Sequence, residues 1–498
     1  MRQHCQQVRG RPDPLVPTDL MIDPYVHEQA HDGPVCTHTD SRMGLVDITA
    51  TNDAQILQMA GQEGLVTTLF DPTECTPTVP INMAPTKFDV LILGSGTSSQ
   101  VPVISCLVAK PPKKGCGCCL STLAADGSGR KNVRRNTSAI VQFQTDHALQ
   151  EPPKRPATIL IDVGKSFCEA AREHFPKNDL DRIDAVLLTH PHADAINGLD
   201  DLRAWTLGAV IQATIPIYCS QSTYDEVAKI FPYMVNPGGG TGGGDVPAFQ
   251  WNIIESDVPF ELLGVQVSPL KVYHGCYFNA AGQPECPYEC LAFLFDQTFC
   301  YMSDVSSIPD PTWTALGCPP SIPLKRSMSH CTEKSSSDSD HPSIFTTSSR
   351  LDSTASSASS VSDSEGPPAG LPLLIVDTMR LEPHISHFGI AEAVETAVKL
   401  RAHRTYILGF THGVTHECWE AACELISENS NTLSRTTVDS SSDAEETTEL
   451  GDDPPRFARQ ALALCEDYIK DTPLWIRPAF DGLVITTDGL KTTDNRHN

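Results

Sequence analysis

No run of about eighteen apolar residues occurs anywhere in the chain, which excludes a membrane-spanning helix of ordinary length. The opening "MRQHCQQVRGRPDP" lacks the apolar stretch of a secretory signal; its arginines leave an organellar reading open beside that of an ordinary tail. There is no long basic arm either. Lys and Arg number 36 against 62 Asp and Glu, giving a formal net charge of −26, so a long nucleic acid is disfavoured as a partner. The glycine-rich "NPGGGTGGGD" lacks the Gly-Lys-Ser/Thr ending of a phosphate loop and reads as a flexible connection. Without a secretory signal, the 18 cysteines point to reduced thiols and metal ligation rather than a disulfide framework. These absences leave a cytoplasmic protein as the expectation, with nucleus or organelle as alternatives. Its 40% hydrophobic content suffices for a core.

Composition then divides the chain. Residues 1–85 have no sustained period and read as a loose extension, ending at Met83 just before the first convincing strand, so a shorter product starting there is conceivable. Serine-rich, acidic tracts at about 331–368 and 427–455 bury too little apolar surface to offset ordering entropy and read as disordered insertions in a domain spanning 86–487. Residues 488–498 read as a tail. Within the domain, "FDVLILGSG", "SAIVQF", "ATILIDVG", "DAVLLTH", "IPIYCS", "VQVSPLKVYH", "CLAFLFD", "TFCYMSDV", "LPLLIVDTM" and "RTYILGF" read as strands. Helical periods at about 166–175, 197–206, 222–230, 388–401 and 456–470 alternate with them, which predicts layered α/β packing.

Chemistry concentrates at strand ends: His190, His274 and Asp304, with His412 just past another. A lone histidine there is more often a hydrogen-bonded core residue. In "THPHAD", however, His190 and His192 alternate and Asp194 follows two residues on, where a turn can aim all three at one point. Neutral imidazole and carboxylate suit Zn, Mn or Fe, and an aspartate can bridge two cations.

These residues resemble the metallo-β-lactamase superfamily, whose signature is His-x-His-x-Asp-His after a strand. The likeness is strongest to the cyclic-phosphate phosphodiesterases of bacterial phosphonate breakdown and their eukaryotic relatives. "LGSGTSSQVPVISC", "RRNTS", "LIDVGKSF", "HADAINGLDDLR" and "PAFDGLVI" carry it, from about Phe88 to Ile485. The resemblance implies a four-layer αββα sandwich and a catalytic site holding one or two Zn or Mn ions. One ion is expected on His190, His192 and His274, Asp304 bridges to a second, and Asp194 and His412 complete it. Ala195 stands where the signature has its last histidine, so the second ion is expected to bind more weakly. A hydroxide held by the cations attacks phosphorus, and His387, with His384 as the weaker candidate, is implied as the leaving group's proton donor or orienter. Asp194 is also carried as catalytic.

The resemblance further implies a structural zinc on three cysteines and a histidine. Cys106, Cys116, Cys119 and His416 are the chosen set, with Cys118 as a substitute and free buried thiols as the alternative. Cys286 and Cys290 have tolerable spacing and no further support. Lys110, Lys113, Lys114, Arg130, Lys131, Arg134 and Arg135 form the one basic region, which either meets substrate phosphate or is a charged loop; Arg203 likewise meets phosphate or Asp200 and Asp201. The expectation is a phosphodiesterase for a small phosphorylated substrate, with no membrane partner and a homodimer compatible. A tRNA 3′-processing-like nuclease, a thioester hydrolase and a non-catalytic binder of a phosphorylated metabolite are the alternatives.

Overall fold

A computed structural model describes residues 86–144, 155–236, 245–318, 370–430, 449–470 and 472–496. The extension before 86 and the tract at 331–368 lie outside the described residues. Fifteen strands are described: β1 (Phe88–Gly94), β2 (Ser138–Phe143), β3 (Ala157–Ile161), β4 (Ala185–Leu187), β5 (Ile215–Cys219), β6 (Phe249–Ile253), β7 (Phe260–Leu262), β8 (Val265–Phe278), β9 (Pro284–Phe295), β10 (Phe299–Met302), β11 (Leu373–Asp377), β12 (Arg404–Leu408), β13 (Ile476–Pro478), β14 (Val484–Thr487) and β15 (Thr492–Asp494). They form two sheets, in the orders β15-β14-β1-β2-β3-β4-β5-β6 and β13-β12-β11-β10-β9-β8-β7.

The period of two along each strand decides what lies on either face. In β1, Phe88, Val90 and Ile92 join the core between the sheets, with Phe293, Phe295, Phe299 and Tyr301 of the second sheet. Leu91 and Leu93 turn outward to a second core shared with Phe167 and Ala170 of the helix Phe167–His174. The outer face of the second sheet is covered by the helices Ile390–Lys399, His416–Ser430 and Pro454–Cys465. The order is helix, sheet, sheet, helix: the αββα sandwich.

Strands β3 to β6 are parallel, as are β10 to β13. Parallel strands send their carboxyl ends the same way, and ligands in such sheets sit beyond those ends. Asp162 follows β3, His190 follows β4, Asp304 follows β10, Asp377 ends β11 and His412 lies past β12. Leu291 of β9 donates to the Thr189 carbonyl at 3.0 Å, joining the two sheets beside this rim.

Some boundaries differ from the sequence reading. The helix His416–Ser430 takes up residues 427–430, which composition had assigned to the insertion. Ser427 Oγ donates to the Cys423 carbonyl at 2.8 Å and accepts from Ile476 N–H at 3.2 Å; Ser430 Oγ accepts from Leu474 N–H at 3.0 Å. Serine hydroxyls that look solvated in the sequence are therefore satisfied inside the fold. Asp453 caps the helix Pro454–Cys465 by accepting from Arg456 N–H at 3.1 Å, so 449–455 is also ordered, and 431–448 lies outside the described residues. The period at 197–206 breaks into Leu199–Leu202 and Arg203–Thr206. The tail from 488 contributes β15, paired with β14.

Phe299 is fully buried, stacked on Phe295 at 4.4 Å and edge-on to Phe88 at 5.2 Å. Phe299→Ala should lower unfolding free energy by about 3–5 kcal/mol, read from urea denaturation. A change below about 1 kcal/mol would mean that this aromatic layer is not well packed.

Candidate metal centres at the strand ends

Local chemistry fixes the first imidazole. Thr189 donates its N–H and its hydroxyl to Asp162, both at 2.8 Å, and the same hydroxyl lies 2.8 Å from His190 Nδ1. With its own proton given to Asp162, Thr189 Oγ accepts from Nδ1–H, and Nε2 keeps its lone pair. That Nε2 is buried and has no hydrogen-bond partner. His274 is treated alike: Nδ1–H donates to the Ser386 carbonyl at 2.7 Å, leaving Nε2 4.0 Å from Asp304. The His190, His192 and His274 rings lie 4.6 to 5.2 Å apart between centroids.

Donor atoms of His190, His192 and His274 lie within 4.8 Å of one another, as do those of His274, Asp304 and His387, and of Asp162, His190 and Asp304. Burial lowers His190 well below the usual imidazole range and brings His274 down to about 4, so both stay neutral. Burial, then repulsion from Asp304, raises Asp194; burial raises Asp162 too, with Asp304 and Asp194 adding to it. Neutral imidazole lone pairs and crowded carboxylates are a donor set short of positive charge. The residues present fit a divalent cation.

Asp194 joins none of the donor groups among the described residues, although Asp304 is near enough to repel it, and its backbone is pinned against Gly164. A Cβ on Gly164 would stand 1.9 Å from the Asp194 carbonyl, so only glycine fits there. Ala195 is buried in the apolar cluster that includes Val163, Ile196 and Leu199. Its position is filled by core packing.

Across from the first trio, His387 Nδ1 lies 2.7 Å from Asp377, which is fully buried. Burial pulls the imidazole's pKa down, but the Asp377 and Asp304 carboxylates outweigh that and bring it up to about 9. The shared proton is placed on the ring. His384 instead pairs with Ser386 Oγ at 2.9 Å.

The structure gathers Cys106, Cys116, Cys119 and His412, not His416. Cys106 and Cys116 sulfurs are 3.7 Å apart, and His412 Nδ1 lies 3.5 and 3.4 Å from them. A tetrahedral ion with Zn–S near 2.3 Å and Zn–N near 2.0 Å requires edges of about 3.8 and about 3.5 Å. The separations fit. Val103 N–H points to Cys119 Sγ and Cys119 N–H to Cys116 Sγ, both at 3.4 Å. His412 is thereby withdrawn from the expected second catalytic ion. His416 is buried edge-on to Phe480, and neither of its ring nitrogens has a hydrogen-bond partner. Four residues separate the two histidines, and only His412, which precedes the helix, faces the sulfurs. Cys118 packs as an apolar residue; Cys290 is buried and Cys286 exposed, and neither joins a metal-donor cluster among the described residues.

The arginines of the basic region are used internally, whereas Lys110, Lys113 and Lys114 are exposed. Arg134 is buried and donates to the carbonyls of Thr411 at 2.5 Å and Val414 at 2.8 Å, clamping the loop that carries His412. Arg135 pairs with Glu173 and Asp481, Arg130 with Glu173, and Arg203 with Asp200. Sequence reasoning missed Asp162 and Asp377 as site residues, although both end apolar strands just as the assigned residues do. Tyr288, stacked on His192 at 4.7 Å and 8°, carries no such signal.

Residues 157–322 match the family described as Beta-lactamase superfamily domain. An octanoyltransferase of Porphyromonas gingivalis is 31% identical over 189 residues, covering 37% of this chain and only 30% of that protein. Among solved structures, a diphosphatase from the PhnP family is 21% identical, covering 80% of this chain and 97% of its own, with a TM-score of 0.45. Unliganded yeast PDE1 is 14% identical, covering 81% and 99%, with a TM-score of 0.40.

Cys116→Ser should remove about one zinc per chain and lower the melting temperature, because a structural ion contributes directly to folding. His416→Leu should leave zinc content unchanged. Elemental analysis with thermal melts decides, and zinc lost from the His416 variant would reverse the assignment. Ala195→His should overpack the core and cost about 1–3 kcal/mol without raising bound metal; a gain of one ion per chain would show that the ring turns to the rim.

Proposed function

We propose, from the family match over residues 157–322, that this chain is a metal-dependent hydrolase of the metallo-β-lactamase superfamily acting on small phosphodiesters. The observation that carries the reading is the overlap of three donor groups, His190–His192–His274, His274–Asp304–His387 and Asp162–His190–Asp304, with Asp377 holding His387 from behind.

His190, His192, His274 and Asp304 would hold a first cation, with Asp194 beside it for a second; Cys106, Cys116, Cys119 and His412 would hold a structural zinc. A divalent cation bound at the rim supplies Lewis acidity toward phosphoryl oxygens and makes water available as a nucleophile near neutral pH. The chain's own residues do the rest. The Asp162–Thr189–His190 chain and the Ser386 carbonyl fix which nitrogen of each imidazole faces inward. Asp377, bonded to Nδ1, orients His387 and favours its charged form, which leaves the Nε2 proton for the oxygen of the departing alcohol. Phosphodiesters suit this layout because they need charge neutralised on one side and a proton delivered on the other.

Purified protein with added Mn²⁺ should hydrolyse bis(p-nitrophenyl) phosphate, and Asp304→Asn should abolish turnover together with metal binding. His387→Gln should cost about 10²–10⁴-fold on a diester with an alkyl leaving group and far less on the p-nitrophenyl ester, whose phenolate leaves without protonation. Equal losses on both would remove the proton-donor role. Since His387 acts protonated, its contribution is present at low pH and lost as pH rises through a pKa that the carboxylates raise. Asp377→Asn should therefore move the alkaline limb of kcat to lower pH; an unmoved limb would separate Asp377 from the step.

A further inference from the structure

Beside the metal centre lies a cavity of about 790 Å³ whose lining includes His192 and, on the same wall, Tyr288. None of its other residues belongs to the metal centre. The volume is that of a ligand site rather than a gap in packing.

Two properties of the lining define what it accepts. The first is aromatic: Tyr288 lies flat on His192, Tyr277 follows at 5.1 Å from Tyr288, and Tyr273 completes the wall. Tyr277 is 53% exposed. The second is charge. Asp225, Glu226 and Glu289 face Lys229 alone within the lining, and counting Lys271, which reaches Glu289 at 2.9 Å from outside, still leaves an excess of one negative charge. Lys229 is itself held by Glu226 at 2.9 Å. No cation in the lining is left unpaired to receive a second anionic group, and the tyrosines offer π faces to a ring or a cation.

We propose that this cavity seats one ester arm of the phosphodiester, and that it selects a planar ring bearing no negative charge, such as an aryl group or a nucleobase. The phosphoryl group stays at the rim, next to His192, and the arm extends over Tyr288 toward Tyr277. Arms carrying a carboxylate or a further phosphate are repelled by Asp225, Glu226 and Glu289. The inference rests on the phosphodiesterase reading for what the rim does, but its test reads binding.

Full-length protein loaded with Mn²⁺ would be titrated calorimetrically with diphenyl, diethyl and bis(4-carboxyphenyl) phosphate. Diphenyl phosphate should bind about tenfold tighter than either of the others, the range expected for one aromatic contact plus burial. Tyr277→Ala, a change at an exposed position, should reduce that advantage to below about threefold while leaving diethyl phosphate unchanged. Asp225→Asn with Glu226→Gln should narrow the penalty on the carboxyphenyl ester. No aryl preference in the wild type, or equal weakening of all three ligands by Tyr277→Ala, would overturn the proposal. An aryl preference lost in Tyr277→Ala, in a protein that never hydrolyses bis(p-nitrophenyl) phosphate, would sink the catalytic reading and keep the cavity's assignment; hydrolysis without the preference would do the reverse.

Discussion

The rim depends on negative charge concentrated where water cannot screen it. Asp162, Asp304 and Asp377 are buried, Asp194 stands beside them, and the neighbouring imidazoles of His190 and His274 are kept neutral by the same burial. Removing a carboxylate from water costs several kcal/mol after relaxation, and like charges add to it. Hydrogen bonds from Thr189 answer part of that for Asp162, and the His387 proton answers it for Asp377. Asp304 has a long contact from Thr137 at 3.4 Å and, against its burial, is otherwise answered by the imidazoles of His190, His274 and His387, which hold its carboxyl below the usual range. A bound cation is the economical remedy, and binding it would stabilise the fold as well as create the site.

The loops bearing these groups are held by polar contacts that reach far along the chain. Ser95 and Arg135 both donate backbone N–H groups to Asp481, each at 2.9 Å, joining the ends of β1 and β14 to the approach to β2. Gly409 and Phe410 donate to the Ser95 carbonyl at 2.9 and 3.1 Å. Arg134 closes the set with the carbonyls of Thr411 and Val414 and lies 5.2 Å from the Phe410 ring. A buried guanidinium satisfied by carbonyls is worth its desolvation only if those carbonyls must not move. His412 lies between them, so the clamp and the cysteine cluster fix the same four-residue stretch, 411–414.

What was legible follows from period and punctuation. Aliphatic and β-branched runs revealed strands and layered α/β packing, the two-sheet sandwich came from the family resemblance, and the clustering of His and Asp at strand ends located the rim because parallel strands deliver their ends together. Asp162 and Asp377 obeyed that same signal. They went unassigned because a carboxylate that holds a ligand in place looks, in sequence, like any Asp ending a strand. Arg134 was hidden in a run of basic residues, since charge runs do not disclose which member turns inward. His412 and His416 were interchanged because sequence spacing gives distance along the chain but not the point at which the helix begins. With the helix starting at His416, the earlier residue is free to turn to the sulfurs while the later one is committed to packing on Phe480.

That interchange bears on how many ions the rim suits. On the proposed reading, His190, His192, His274 and Asp304 already form a full donor set for one cation. A second would need Asp194, a share of Asp304 and another donor. Ala195 offers none, being buried among aliphatic side chains, and His412 is spent on the cysteines. The remaining imidazole within reach of Asp304, among the described residues, is His387, and Asp377 holds it with a proton on the ring nitrogen a ligand would not use. Employing His387 as a ligand and employing it as a proton donor draw on the same nitrogen, Nε2. On that reading the rim is asymmetric: its donors favour one ion, and a second is furnished only at the expense of the residue proposed to protonate the leaving group.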